Sequence, residues 1–167
     1  MSIHYRGTLY RALNPIYARE PLSGKGAELH GGRFNAKGVA ALYASITVMT
    51  ALREANQVGS LQPTTLVSYD ADIDAVFDTR DEHALAAHDI DPDILSDPAW
   101  RDRMRKEGEA PTQALARRLA ASGHTGILVR TFGAGSGVAA LTLVLWWGGP
   151  PPPPRLTLID DENRLSR

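Results

Sequence analysis

The sequence has no cysteine in its 167 residues. That excludes disulfide staples, thiolate nucleophiles and cysteine-ligated metals, and it suits a reducing compartment. An excess of charge of either sign is missing too: 18 lysines and arginines stand against 19 aspartates and glutamates, for a formal net charge of −1. No bulk attraction to a polyanion follows, so direct nucleic-acid binding is not expected. Long apolar runs are absent as well, since no stretch approaches the roughly 18 residues that a membrane-spanning helix requires. The opening "MSIHYRGTLYRALNP" contains no uninterrupted apolar leader core. The expectation is a cytoplasmic protein with no membrane partner. No repeat of fixed length occurs, which argues against solenoids and propellers.

What is present suits one domain with a real core, at 43% hydrophobic and 22% charged residues. "GTLYRAL" (7–13) reads as a strand, followed by a turn-rich segment, 14–35, of a length that in a compact domain is functional or disordered. "AALYAS" (40–45) is a short apolar strand, after which Thr47 caps a helix whose Val48, Ala51, Leu52 and Ala55 keep helical spacing. "TTLVSY" (64–69) and "AVFD" (75–78) read as two strands, and "RDEHALAAHDI" and "APTQALARRLAASG" as helices, the second closed by Gly123. "TGILVRTF" (125–132) and "AALTLVLWW" (139–147) are apolar enough to be central strands. The proline run 150–154 lacks amide donors and predicts a polyproline connector before an edge strand, "RLTLID". Strands and helices interleave without regular alternation. The prediction is a single α+β domain over 1–167, with small mixed or antiparallel sheets, flanking helices and a C-terminal strand and tail at 155–167.

Several familiar chemistries fail on spacing. "DADIDAVFDTRD" sets Asp70, Asp72 and Asp74 as in a calcium loop, yet Ala75 stands where glycine is needed and Asp81 where a bidentate glutamate is needed, so a solvated acidic loop is expected. His83 and His88 are five apart and do not share a helical face as zinc ligands do, so no metal is expected. "GAGSG" (133–137) lacks the Lys-Ser/Thr of a phosphate-binding loop and reads as a hairpin turn. "WRDRMRK" (100–106) is interleaved with carboxylates and reads as a surface helix.

"HGGRFN" (30–35) is different, because it loosens the backbone directly before an arginine. One account is a turn with a solvated Arg33; the other is a loop whose glycines let backbone and guanidinium close on an anion. Arg11, Arg33, Tyr43 and Glu54 complete a set spread over the first third of the chain. Two arginines, an aromatic ring and a carboxylate are the parts that hold a diphosphate, stack a planar ring and stabilise a cationic sugar carbon. By residue type alone Tyr43 fits a core strand equally well.

The order "YR…PLSGKGAELHGGRFN.KG.ALYAS…AL.E" resembles the RES-domain family, the toxins of bacterial RES–Xre toxin–antitoxin pairs, from about Tyr10 to Trp147. The resemblance implies a fold related to ADP-ribosyltransferases, NAD as co-substrate and an Xre-type antitoxin as partner. It assigns Arg11 and Arg33 as the family arginines, Tyr43 as the tyrosine of its strand and Glu54 as the glutamate of its next helix. Where relatives read approximately "vpSfa" this chain has "VRTFG", so Thr131 stands in for the family serine, with Ser136 the weaker candidate. Thr142 replaces the asparagine of the family's "NLVLW". On this basis Glu54, Arg33, Tyr43 and Thr131 are the expected catalytic set. Arg11, Lys25, His30, Gly32 and Asn35 are expected to join Arg33, Tyr43 and Glu54 in binding NAD. The family is associated with transfer of ADP-ribose to a protein acceptor and with destruction of NAD by hydrolysis or phosphorolysis; transfer to a housekeeping protein is the outcome favoured. A non-catalytic nucleotide-binding module is the remaining alternative.

Overall fold

The computed structural model describes residues 2–56, 60–131, 140–146 and 155–165. The chain opens with a long strand, β1 (Ser2–Leu13), a single 3-10 turn at Pro15–Tyr17, and a short helix, α1 (Lys25–His30). β2 (Ala41–Ser45) and α2 (Val48–Ala55) follow, with the Thr47 side chain accepting the amide of Thr50 as the helix cap. β3 (Thr65–Asp78) leads into α3 (Glu82–Ala87), α4 (Pro92–Leu95), α5 (Trp100–Glu107) and α6 (Pro111–Ala121). β4 (Gly126–Arg130), β5 (Leu141–Trp146) and β6 (Leu156–Leu158) complete the described elements.

The fold is α+β, and its strands join in one six-stranded sheet of order β1-β2-β5-β4-β3-β6. β1 also pairs with β3 over most of its length, so five strands close on themselves and β6 is appended to the ring. All pairings are antiparallel except β3 with β4. The two strands expected at 64–69 and 75–78 are one strand. The expected acidic loop between them is its middle, where Ala71 and Ile73 are buried while Asp70 and Asp74 face solvent. Ala75 has φ 59, and between Ile3 and Tyr5 of β1 the register skips a residue of β3. This bulge is what lets one strand leave its antiparallel neighbour β6 and run parallel to β4.

Side chains alternate across this sheet with a period of two, and the alternation builds two cores. Leu42, Ala44, Leu128, Leu143 and Leu145 point into the ring beside Leu9, Val67 and Tyr69. Ala41, Ile127, Val129, Val144 and Trp146 point the other way, against Leu85 of α3, Leu95 of α4 and Leu115 and Leu119 of α6. Each such leucine contributes about 1.5–3 kcal/mol by leaving water. The same alternation puts Tyr43, Val129, Thr131, Thr142 and Val144 on the helix side. That face carries the cleft.

Two expectations change here. The segment 14–35 is not a bare loop, since "KGAELH" forms α1. "WRDRMRK" does form a helix, but one face of it lines the cleft. The turn at 133–137, Ser136 within it, and the connector at 150–154 lie outside the described residues.

Candidate active site

The glycine pair closes α1. Gly31 adopts φ 72 and ψ 151 and its amide donates to Ala27 O at 2.8 Å, a positive-φ helix end that glycine adopts without strain. Gly32 N then donates to Asn35 O at 2.9 Å, making a tight turn with Arg33 and Phe34 at its corners. A Cβ on Gly32 would overlap the Tyr43 hydroxyl and the Asn35 side-chain oxygen. The missing side chain is therefore used by neighbouring protein groups.

Those groups lock the turn. Tyr43 Oη donates to Asn35 Oδ1 at 2.7 Å and accepts the Phe34 amide at 2.9 Å. Asn35 Nδ2 donates to Ala27 O at 2.8 Å and to Val39 O at 2.9 Å. From α6, Gln113 Nε2 donates to Gly32 O at 2.9 Å and Asn35 O at 3.1 Å, while its Oε1 accepts the Ala110 amide. Trp146 Nε1 donates to Phe34 O at 2.8 Å. Four side chains from four parts of the chain thus satisfy the turn's buried polar groups, which are costly to leave unpaired.

Arg33 projects from this turn into a cavity of about 810 Å³ that Gly32, Tyr43, Glu54, Trp100 and Thr131 also line. A second cavity of about 270 Å³ is lined by Tyr10, Arg11, Ser45 and Ala51. Tyr43, Glu54 and Thr142 border both, so the two form one cleft whose compartments meet at the carboxylate. The larger compartment is cationic: Arg33, Lys37, Arg101, Arg105 and Arg130 line it, and among the described residues Glu54 is its one lining carboxylate.

Arg33 Nη1 donates to Asp97 O at 2.7 Å and to Leu95 O at 3.4 Å, and its guanidinium lies 5.8 Å from the centre of the Trp100 ring. Burial pushes its pKa below the usual arginine value; the negative charge of Glu54 acts in the opposite direction. Burial also pushes the Tyr43 phenol well above its ordinary range, with the Phe34 amide and Arg33 opposing. Tyr43 is thus a neutral, immobile ring bordering both compartments and has no accessible proton to give. Thr131 Oγ1 and Thr142 Oγ1 are 2.9 Å apart. The Thr142 hydroxyl therefore has a hydroxyl partner at 131.

The structure brings Arg33, Tyr43, Glu54, Thr131, Gly32 and His30 to the larger compartment and Arg11 to the smaller. Arg11 also has a structural task, donating through Nη1 to Pro21 O at 3.1 Å and Ser23 O at 3.2 Å. Asn35 and Lys25 are placed outside both compartments. Asn35 is buried, its amide occupied by the frame, and it borders neither compartment; Lys25 is exposed at the start of α1 and borders neither. Sequence reasoning missed Gln113, Trp100, Arg101 and Arg105. A signal for Gln113 existed in "APTQ", where proline opens a helix and a glutamine sits at the capping-box position.

Among the described residues no group of three or more His, Asp or Glu is placed to hold a metal ion, and no helix is long and apolar enough to cross a membrane. The site is thus an α+β ring with a cationic cleft bordered by a fixed tyrosine and, among the described residues, one carboxylate. The RES domain profile matches residues 8–165, and the chain belongs to the RES domain family. RES domain proteins are toxins of RES–Xre toxin–antitoxin systems, and the domain is an NAD-utilising module. No curated protein matches the chain.

Proposed function

We propose that the protein is the toxin of its pair and acts as a mono-ADP-ribosyltransferase: it cleaves the nicotinamide–ribose bond of NAD and passes ADP-ribose to a side chain of a housekeeping protein in the cytoplasm. The observation that carries this reading is the position of Glu54 where the two compartments meet, beside Tyr43 and Thr142. The larger compartment, at about 810 Å³, has the size of a small-molecule site and the charge for a diphosphate. NAD fits there with its phosphates toward Arg33 and Lys37 and its nicotinamide against the Tyr43 ring. The smaller compartment then admits the acceptor from the other side of Glu54.

The C1′–N bond breaks with its electron pair leaving on nicotinamide, which departs neutral. Glu54 stabilises the oxocarbenium-like ribose as charge develops, and Arg33 holds the departing geometry by fixing the phosphate. The acceptor's nucleophilic atom bonds to C1′ and its proton passes to the Glu54 carboxylate. Thr131 and Thr142 supply hydroxyls to the wall on which the ribose rests. The antitoxin is an Xre-type protein that covers this cleft and competes with NAD for its cations.

The test uses NAD labelled on its adenylate phosphate, incubated with the purified protein and a cell extract. Label appearing on protein supports transfer. Label confined to small molecules replaces transfer with NAD degradation, and uncleaved NAD leaves only a binding module. In the same assay Glu54→Gln lowers turnover by about 10²–10³-fold, near 2.7–4 kcal/mol, as loss of one preorganised polar group does. Its melting temperature stays unchanged; full turnover by a folded Glu54→Gln protein removes Glu54 from the chemistry.

A further inference from the structure

The helix α5 treats its three arginines unequally. Arg103 pairs with Asp97 at 3.1 Å, whereas Arg101 and Arg105 line the larger compartment and, among the described residues, form no salt bridge. These two are four residues apart on one helical face, a like-charge arrangement that destabilises an isolated helix. Arg101 is also held in place, its guanidinium 4.7 Å from the centre of the buried Trp100 ring. Its charge adds to the factors holding the Arg33 pKa down. A chain near neutrality has gathered five cations here around one carboxylate among the described residues.

Charge balance tells what would match them. Five lining cations against Glu54 leave a surplus of four positive charges. The diphosphate of NAD removes two and its cationic nicotinamide ring returns one. A phosphate monoester carries about −1.5 to −2 at neutral pH and removes the larger part of the remainder. We propose that Arg101 and Arg105 form a subsite for a phosphate dianion, so that the cleft takes the 2′-phosphorylated dinucleotide NADP in preference to NAD. This rests on the reading of the cleft as a dinucleotide site and adds the substrate that its charge selects. The bond broken is the same nicotinamide–ribose bond, since the 2′-phosphate of NADP lies on the adenosine side.

The experiment measures calorimetric affinities of NAD, NADP and inorganic phosphate for the full chain carrying Glu54→Gln, where turnover of either dinucleotide is slowed, with and without Arg101→Ala and Arg105→Ala together. KM values of both dinucleotides on the wild-type chain are measured alongside. NADP is expected to bind about tenfold or more tighter than NAD, as two charge-assisted contacts allow, and the double variant brings that ratio close to one. A ratio of one or less in the parent, or a ratio that survives the double variant, overturns the subsite. Tight binding of inorganic phosphate with no preference for NADP overturns the dinucleotide assignment. NADP preference without cleavage of either dinucleotide leaves the subsite standing and sinks the transferase; cleavage of NAD with a ratio of one does the reverse.

Discussion

Two regions feed arginines into the same cleft in opposite ways. The turn 31–35 is held by Tyr43, Gln113 and Trp146 from distant elements and by its own Asn35, so Arg33 leaves a backbone with no freedom to shift. The helix α5 has no side-chain cap, ends at Gly108 with φ 83, and apart from Trp100 and the half-buried Met104 lies in solvent. The contrast teaches a division of labour. A frame of buried hydrogen bonds sets where a cation sits, to the accuracy that bond breaking demands. A solvated helix supplies charge, whose influence weakens as salt screens it.

The comparison breaks if the frame is not what stabilises the turn. Asn35→Ala removes the acceptor of the Tyr43 hydroxyl proton, the amide donor to Val39 O and one of two donors to Ala27 O, and should lower stability by about 3 kcal/mol, whereas Arg105→Ala should stay within about 0.5 kcal/mol. Urea unfolding of the two variants measures this directly; similar midpoints would mean that the turn stands without its hydrogen bonds. A smaller effect sharpens the contrast. Arg33→Lys keeps the charge but loses the planar fork, and should raise the KM for NAD about tenfold, while Arg105→Lys on the solvated helix changes it less than about threefold. Equal shifts would make both arginines point charges.

The smallest effect concerns acidity. α6 carries Gln113 near its start, and beyond its end His124 makes edge-on contacts with Phe77 and His88 at 5.4 and 6.1 Å. Burial, assisted by the neighbouring His88, holds the His124 pKa below its ordinary 6.5 against the opposing bond to Leu119 O. Folded His124 is therefore neutral where the unfolded chain begins to take up a proton. Its contribution is complete above pH 6.5 and declines as pH falls through the folded value. Melting curves between pH 7.5 and pH 5 should show a loss that His124→Gln reduces; an identical loss in both proteins assigns the acid sensitivity elsewhere.

Much of this was legible from period and residue type. β2, α2, α6, β4 and β5 follow from hydrophobic spacing because each buries a face against the core. The closure of the ring was not, because β1 and β3 pair residues as far apart as Ser2 and Phe77, and no local pattern encodes so distant a partner. The break at Ala75 hid a single strand as two. Arg33, Tyr43 and Glu54, which line one compartment, were singled out because their order along the chain resembles a family. The structural task of Asn35 was not legible, because an amide beside an arginine shows nothing in sequence of the carbonyls it holds. Arg101 and Arg105 were hidden because a basic helix shows its composition in sequence and its facing only in the fold.

The register of β2 against β5 has a consequence for the order of synthesis. Tyr43 and Thr142 stand on neighbouring strands, Tyr43 opposite Val144 and Ser45 opposite Thr142, so the wall behind Glu54 comes into being only when β5 pairs with β2. A ribosome making this chain releases Arg33, Tyr43 and Glu54 early and Thr131 and Thr142 late. Until some 140 residues have emerged, the cleft lacks its floor, and Phe34 lacks the indole that holds its carbonyl. A growing or interrupted chain that stops short of β5 therefore lacks this wall, whatever becomes of Arg33, Tyr43 and Glu54 before it.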